Sequence, residues 1–164
     1  MSTSDIRPIT RDEIPECVNV IRESFMTVAR EFGFTKEGSP RFTGHAINND
    51  RLYYQFDIEK RPMFALCDCG RIVGYYSLSL PENGMCELNN LSVLPEFRHR
   101  GFGEKMVSDG LERMKSADCR RAMVCIVEEN KRLRAWYESL GFKHIEAKKL
   151  DGFEFNCGYL IKEL

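Results

Sequence analysis

The chain has 164 residues, 43% of them hydrophobic, enough for one domain with a substantial core and too few for two of ordinary size. Twenty-four basic residues against twenty-five acidic ones leave a formal net charge of -1, which excludes the basic excess of a nucleic-acid or anionic-membrane binder. The longest apolar run, residues 122–127, is far short of a membrane span, and the N-terminus lacks a charged-then-apolar signal pattern, so a cytoplasmic protein is expected.

Residues 5–9 predict a short first strand, and Thr10 is a good N-cap for the helix that follows. Ile14, Val18, Ile21, Phe25, Val28 and Phe32 recur at steps of four and three, which places them on one core-facing side. Gly33 and Gly38 end that helix, and Ser39-Pro40 can cap a second helical region reaching toward Glu59. Its Leu52, Tyr53, Tyr54 and Phe56 read first as packing against a sheet, with a substrate-lining role as the alternative.

Residues 63–67 and 71–80 are strand-like runs joined by Asp68-Cys69-Gly70, which predicts an antiparallel hairpin. Cys67, Asp68 and Cys69 also invite a metal reading, but the turn accounts for them and no histidine is near in sequence, so no metal is expected. The seven cysteines are an odd number without a CxxC pair, which favours reduced thiols. Pro81-Glu82-Asn83-Gly84 marks a turn into a strand that begins near Met85 and must end at Pro95.

Phe102, Met106, Val107, Leu111 and Met114 then fall at helical spacing, with the helix ending near Lys115. Residues 120–127 form a strand whose apolar run predicts burial on both faces. Asn130 opens a helix with Leu133, Trp136, Tyr137 and Leu140 on one side, and Gly141 ends it. Residues 142–149 and 153–161 read as a closing hairpin around Asp151-Gly152. The order β α α β β β α β α β β, without linker or repeat, makes residues 1–164 a single mixed α/β domain. The strand, helix, strand segment in its middle favours a parallel pair through a right-handed crossover.

At that helix start stands Val93-Leu94-Pro95-Glu96-Phe97-Arg98-His99-Arg100-Gly101-Phe102-Gly103. A helix N-terminus carries backbone N–H groups without intrahelical partners and partial positive charge, so it attracts anions. Gly101 and Gly103 let a ligand approach the backbone and Arg98 and Arg100 add charge, so a phosphate or pyrophosphate is the expected guest. A Walker loop is excluded because no Gly-Lys-Ser/Thr follows, and a dinucleotide fingerprint because Met106 stands where its third glycine belongs.

The segment fits Val-x-Pro-x-x-Arg/Gln-x-x-Gly-x-Gly/Ala, and in it the chain resembles the GNAT superfamily of acetyl-CoA-dependent N-acetyltransferases. The resemblance implies a mostly antiparallel sheet of six to seven strands with a splayed parallel β4/β5 pair and about four helices. It implies acetyl-CoA as the acetyl donor. Leu91 and Val93 would offer backbone groups to the pantetheine arm, and Arg98, His99, Arg100, Gly101, Phe102 and Gly103 would cradle the pyrophosphate. Asn130 resembles the family's pantetheine-contacting asparagine, and by itself reads as a helix N-cap.

Acetyl transfer to an amine needs a proton acceptor, an oxyanion donor and an acid for the leaving sulfur. The resemblance assigns the donor to a backbone N–H near Val93 and the acid to Tyr137, in Tyr-Glu-Ser-Leu-Gly-Phe; on spacing alone Tyr137 is a core aromatic beside Trp136. Glu87 stands where some members keep a general base, acting directly or through water, and otherwise reads as an exposed strand carboxylate. Alternation puts Glu87, Asn89, Leu91 and Val93 on one face, unless the bulge common in this strand breaks the parity. His45, His99 and His144 read as incidental. Cys125 is the nearest candidate for a covalent rival mechanism, disfavoured by the absence of a neighbouring histidine and by burial.

The expected acceptor is a small-molecule amine. A protein or peptide amine, at a lysine or N-terminus, is the alternative, and a non-catalytic acyl-CoA sensor is the rival of a different class. Glu31, Glu37, Asp50, Asp57 and Glu59 are no denser than an ordinary solvated face, so no polyamine groove is indicated. No nucleic-acid or membrane partner is expected, and a homodimer is compatible with every reading.

Overall fold

Two-residue turns set the first half of the sheet. In the computed structural model, which describes residues 3–79 and 81–164, β2 (Met63–Asp68) and β3 (Arg71–Leu78) are joined by Cys69 and Gly70 at φ 50 and 79. Asn83 and Gly84, at φ 51 and 75, turn the chain into β4 (Met85–Val93). Two successive left-handed residues match the twist of paired strands, which is why Gly recurs at the second place. Leu80, the last residue expected in the third strand, lies outside the described residues.

With β1 (Ser4–Pro8), β5 (Arg121–Val127), β6 (Lys143–Lys149) and β7 (Asn156–Glu163), these strands form one seven-stranded sheet in the order β1-β2-β3-β4-β5-β7-β6. Every neighbouring pair is antiparallel except β4 and β5. The mixed α/β architecture therefore stands as expected.

Helix α1 (Ile14–Phe32) begins where Glu13 accepts from the Thr10 N–H at 2.8 Å and pairs with Arg7 at 2.6 Å. It ends at Gly33, whose φ of 73 lets its N–H reach Ala29 O. Ile14, Val18 and Ile21 are buried as the spacing requires, whereas Phe25, Val28 and Phe32 are only partly covered because the second half of the helix borders a cleft.

The single second helix expected from Ser39-Pro40 is instead two: α2 (Thr43–Ala46) and α3 (Asn49–Asp57). Asn48, extended at φ -153, accepts from the Arg51 N–H at 2.8 Å and starts α3 afresh. Ser39 does not cap a helix. It is fully buried and gives its hydroxyl to Glu154, at 3.2 Å to the carboxylate, while accepting from the Glu154 N–H at 2.8 Å. Phe34 and Phe42 pack on Phe155 beside it, with ring centroids 4.6 and 5.7 Å away. Phe153 and Phe155 are therefore clamp residues ahead of β7, not part of it.

Helix α4 (Phe102–Ser116) packs on β3 and β4 from the face opposite α1, and α5 (Lys131–Ser139) lies beside it. Successive residues of β3 show the two faces: the Tyr76 hydroxyl bonds Asp109 of α4, while Tyr75 lies within electrostatic reach of Cys17 of α1. The expectation that β5 is buried on both faces is corrected. Ala122, Val124 and Ile126 are buried, but Met123 is half-buried and Cys125 exposed, because no helix covers that stretch of the α1-side face. β6 is a largely exposed edge strand.

Candidate functional site

The site arises where strand pairing stops. β4 and β5 run parallel through Met85↔Arg121, Cys86↔Ala122 and Glu87↔Met123, and the ladder goes no further, leaving that edge of residues 89–93 without a neighbouring strand. The β3 register shifts by one residue across the same stretch, from Tyr75↔Ser92 to Ser77↔Asn89, and Asn90 adopts φ 53. This is a β-bulge, which bends the strand away from its partner.

A cleft of about 740 Å³ opens at that point between α1 and α5. Ser24, Phe25, Thr27, Val28 and Glu31 form one wall and Asn130, Arg132, Leu133 and Trp136 the other. Leu91 and Val93 lie at the base, with Arg98, His99, Gly101, Phe102, Gly103 and Glu104 at the end formed by the α4 N-terminus. Gly101 is the N-cap of α4 at φ 79, and the N–H groups of the first turn have no intrahelical acceptor. The sequence-predicted residues Leu91, Val93, Arg98, His99, Gly101, Phe102, Gly103 and Asn130 are thus brought to one cleft.

Their side chains are used in different ways. The Arg98 guanidinium donates to Thr27 Oγ1, Ser24 O and Ser24 Oγ, each at 3.1 Å, so it ties the loop to α1. Among the described residues no carboxylate pairs with it, and burial draws its pKa down from the ordinary guanidinium value. Arg100 is outside the cleft lining, with its guanidinium 4.9 Å over the Phe97 ring. Asn130 Oδ1 accepts from the Leu133 N–H at 3.2 Å, so it caps α5 while facing the cleft. Arg132 pairs with Glu31, joining the two walls.

Glu87 and Tyr137 do not line this cleft. Glu87 shares its face with Ser79, whose Oγ accepts from the Glu87 N–H at 2.7 Å. Desolvation raises its carboxyl above the ordinary range, with Arg61 opposing, and no described residue hydrogen-bonds that carboxylate. Tyr137 is buried, with ring centroids 4.8 Å from Trp136 and 5.4 Å from Phe142, and burial pushes its hydroxyl pKa up. Cys125 keeps solvent contact but sits low between Cys157 and Tyr159, and the surrounding protein raises its thiol to about 12. A thiol held protonated is a poor nucleophile.

Sequence reasoning missed Ser24, Thr27, Glu31 and Arg132 as cleft residues. In α1 the polar pair sits beside a regular apolar stripe and carries no motif, so nothing local marks it. Among the described residues, no cluster of three metal-ligating side chains is present, and no helix is long and apolar enough to cross a membrane.

Known proteins resemble this chain in sequence and in fold. The family described as acetyltransferase (GNAT) matches residues 26–142. An uncharacterized N-acetyltransferase of Escherichia coli K12, YjgM, is 27% identical over 144 residues, 86% of this chain and 83% of that protein. The PaiA N-acetyltransferase of Thermoplasma acidophilum, solved in complex with coenzyme A, has a TM-score of 0.79 at 17% identity, with 99% of each chain covered. A GNAT superfamily phosphinothricin acetyltransferase of Sinorhizobium meliloti, in complex with AcCoA, has a TM-score of 0.77 at 18% identity, covering 99% of this chain and 89% of that one. At these identities the two solved structures establish likeness of fold.

Proposed function

The chain belongs to the GNAT family of acetyltransferases, and from that premise we propose that it transfers acetyl from acetyl-CoA to a primary amine of a small molecule, by direct attack in a ternary complex. The observation that carries this reading is the cleft itself, in which an unpaired strand edge and a glycine-capped helix N-terminus meet. Such a site suits an extended amide-bearing arm ending in phosphates. The first turn of α4, from Gly101, would hold the pyrophosphate, and the edge at Leu91 and Val93 would pair with the arm.

Bound acetyl-CoA supplies a thioester whose acyl carbon accepts the amine and whose sulfur leaves. The Val93 N–H stabilises the charge that develops on the carbonyl oxygen. Glu87 takes the amine proton, and desolvation, which raises its carboxyl, makes it a stronger base than a free carboxylate. Tyr137 donates its proton to the departing sulfur, and its raised pKa keeps that proton in place beforehand.

Support for a compact acceptor comes from the clamp between the 34–42 loop and residues 150–155. Glu154 accepts from the Thr35 N–H at 2.9 Å and the Ser39 hydroxyl at 3.2 Å, and the Phe34, Phe42 and Phe155 rings close together behind it. Two segments tied together this way favour a small amine over an extended polypeptide.

The test combines two measurements. A ligand that binds only the folded state at a hundred times its dissociation constant stabilises it by roughly 2.7 kcal/mol, so acetyl-CoA should raise Tm clearly. A panel of amines should then reveal release of coenzyme A thiol. A thermal shift with no turnover across small amines and peptides would leave an acyl-CoA sensor, and no shift at millimolar acetyl-CoA would sink the cofactor assignment.

A further inference from the structure

The two walls of the cleft are joined across it by one ion pair. Arg132, in the first turn of α5, donates from Nη2 to Glu31 Oε1 in the last turn of α1, and both side chains line the cavity.

Helical spacing fixes where this pair stands. Ser24, Thr27, Val28 and Glu31 recur at steps of three and four, so one face of α1 presents them all to the cleft. Thr27, one turn before Glu31, is the residue whose hydroxyl accepts from Arg98. On α5, Arg132 comes one turn, about 5.4 Å along the axis, before Trp136, whose ring lies against Gly103 in the first turn of α4. The pair is therefore close to the end of the cleft that suits phosphates.

The charges in the lining cancel. Apart from His99, the titratable side chains there are Arg98 and Arg132 on one side of the balance and Glu31 and Glu104 on the other. Arg98 is committed to Ser24 and Thr27 through three hydrogen bonds. Arg132 is not committed in this way. Its side chain is 79% exposed and that of Glu31 47%, and among the described residues neither makes another ion pair. Exposed ion pairs contribute little. Glu31 also uses only Nη2 of the guanidinium, whereas a phosphate can take two parallel N–H donors of the fork.

We propose that Arg132 is a phosphate-binding residue for the acetyl donor and that Glu31 holds it until the donor arrives. On binding, Arg132 leaves the carboxylate for a phosphate of acetyl-CoA, and the bridge between α1 and α5 opens. Glu31 is thus a competitor of the donor twice over, because it occupies the cation and adds like charge to the cleft. The proposal rests on this cleft as the donor site.

The experiment is calorimetric titration of acetyl-CoA into wild type, Glu31→Gln and Arg132→Gln at low ionic strength, with circular dichroism to show that each folds. Arg132→Gln should weaken binding about tenfold, the worth of one hydrogen bond to a charged group. Glu31→Gln should tighten it about twofold to fivefold, the range of an exposed ion pair. Both effects should shrink in high salt. Acetylated dephospho-coenzyme A locates the contact: an Arg132→Gln loss that persists with it assigns the pyrophosphate, and one that disappears assigns the 3′-phosphate. Acetyl-pantetheine, which carries no phosphate, should bind wild type and Arg132→Gln alike, as followed by Trp136 emission. Weaker acetyl-CoA binding in Glu31→Gln overturns the inference, since the pair would then be preparing the site, and so does an affinity of Arg132→Gln equal to wild type. Failure of the donor site itself appears separately, as no binding to wild type.

Discussion

Trp136 lies against Gly103: a β-carbon built on Gly103 would stand 3.1 Å from Trp136 Cζ2, within the first turn of α4. Gly101, two residues earlier, has open space around it but a φ of 79. The two glycines are needed for different reasons, close approach in one case and a left-handed backbone in the other. Gly103→Val should weaken acetyl-CoA binding more than tenfold and perturb the emission of Trp136, the only tryptophan. Gly101→Ala should cost about 1 kcal/mol of stability, and His99→Ala should change the dissociation constant less than threefold. Calorimetric titration with acetyl-CoA separates the three.

Tyr137→Phe removes one oxygen from a side chain packed between Trp136 and Phe142. Fold and acetyl-CoA affinity should survive, while turnover should fall on the order of 10² to 10⁴-fold, the usual worth of a general acid. Trp136→Phe is the contrasting variant and should act on cofactor binding and stability. Full turnover in Tyr137→Phe with a cognate amine would make solvent the proton source.

The pH dependence should carry the signature of Glu87. Its carboxyl is raised by desolvation, and the base must be ionised, so turnover should rise with pH through a midpoint above the ordinary carboxylate range. Tyr137, raised by burial, stays protonated throughout and should add no alkaline loss in the neutral range. Glu87→Gln should remove the acidic limb along with most of the rate. A limb persisting in that variant would place the base elsewhere.

Arg98 anchors the cofactor loop through three hydrogen bonds to Ser24 and Thr27. Arg98→Met keeps the stem and loses all three, so acetyl-CoA should bind about tenfold more weakly, equivalent to about 1.4 kcal/mol. Ser24→Ala removes one of the three and should show a smaller part of that loss. Equal affinity for wild type and Arg98→Met would mean the loop holds its shape unaided.

Acid stability should depend on Arg7 and Glu13. Hydrogen bonding to Arg7 holds the Glu13 carboxyl at about 2, well below the 4.5 of the free group. A depressed folded pKa stabilises above the unfolded value and is lost as pH falls through the folded one, so the window runs from about 4.5 down to about 2. The pair is partly exposed, which limits its worth to about 1 kcal/mol. Tm of Glu13→Gln should lie below wild type at pH 7 and meet it near pH 2.

Much of the fold was legible because its signals are local. The turns at Cys69-Gly70 and Asn83-Gly84, the start of α4 at Gly101 and the end of α1 at Gly33 each follow from what a glycine permits over a few residues. The residues gathered at the cleft end were legible for the same reason, since residues 93–103 are contiguous. The start of the second helical region was not, because Ser39 is drawn away from capping by Glu154, 115 residues distant, and α2 begins only at Thr43.

By itself, the sequence determined the order of elements, the apolar face of α1 and the strand-loop-helix that faces an anion, all set by spacing and backbone chemistry within one segment. Only the tertiary structure decided that Arg98 spends its guanidinium on α1, that Cys125 looks out from β5, and that Ser39 turns its hydroxyl to Glu154. Those outcomes depend on which elements the sheet brings together and on where pairing stops at Glu87↔Met123. A side chain's partner across a sheet is fixed by register and packing, which no single stretch of the chain contains.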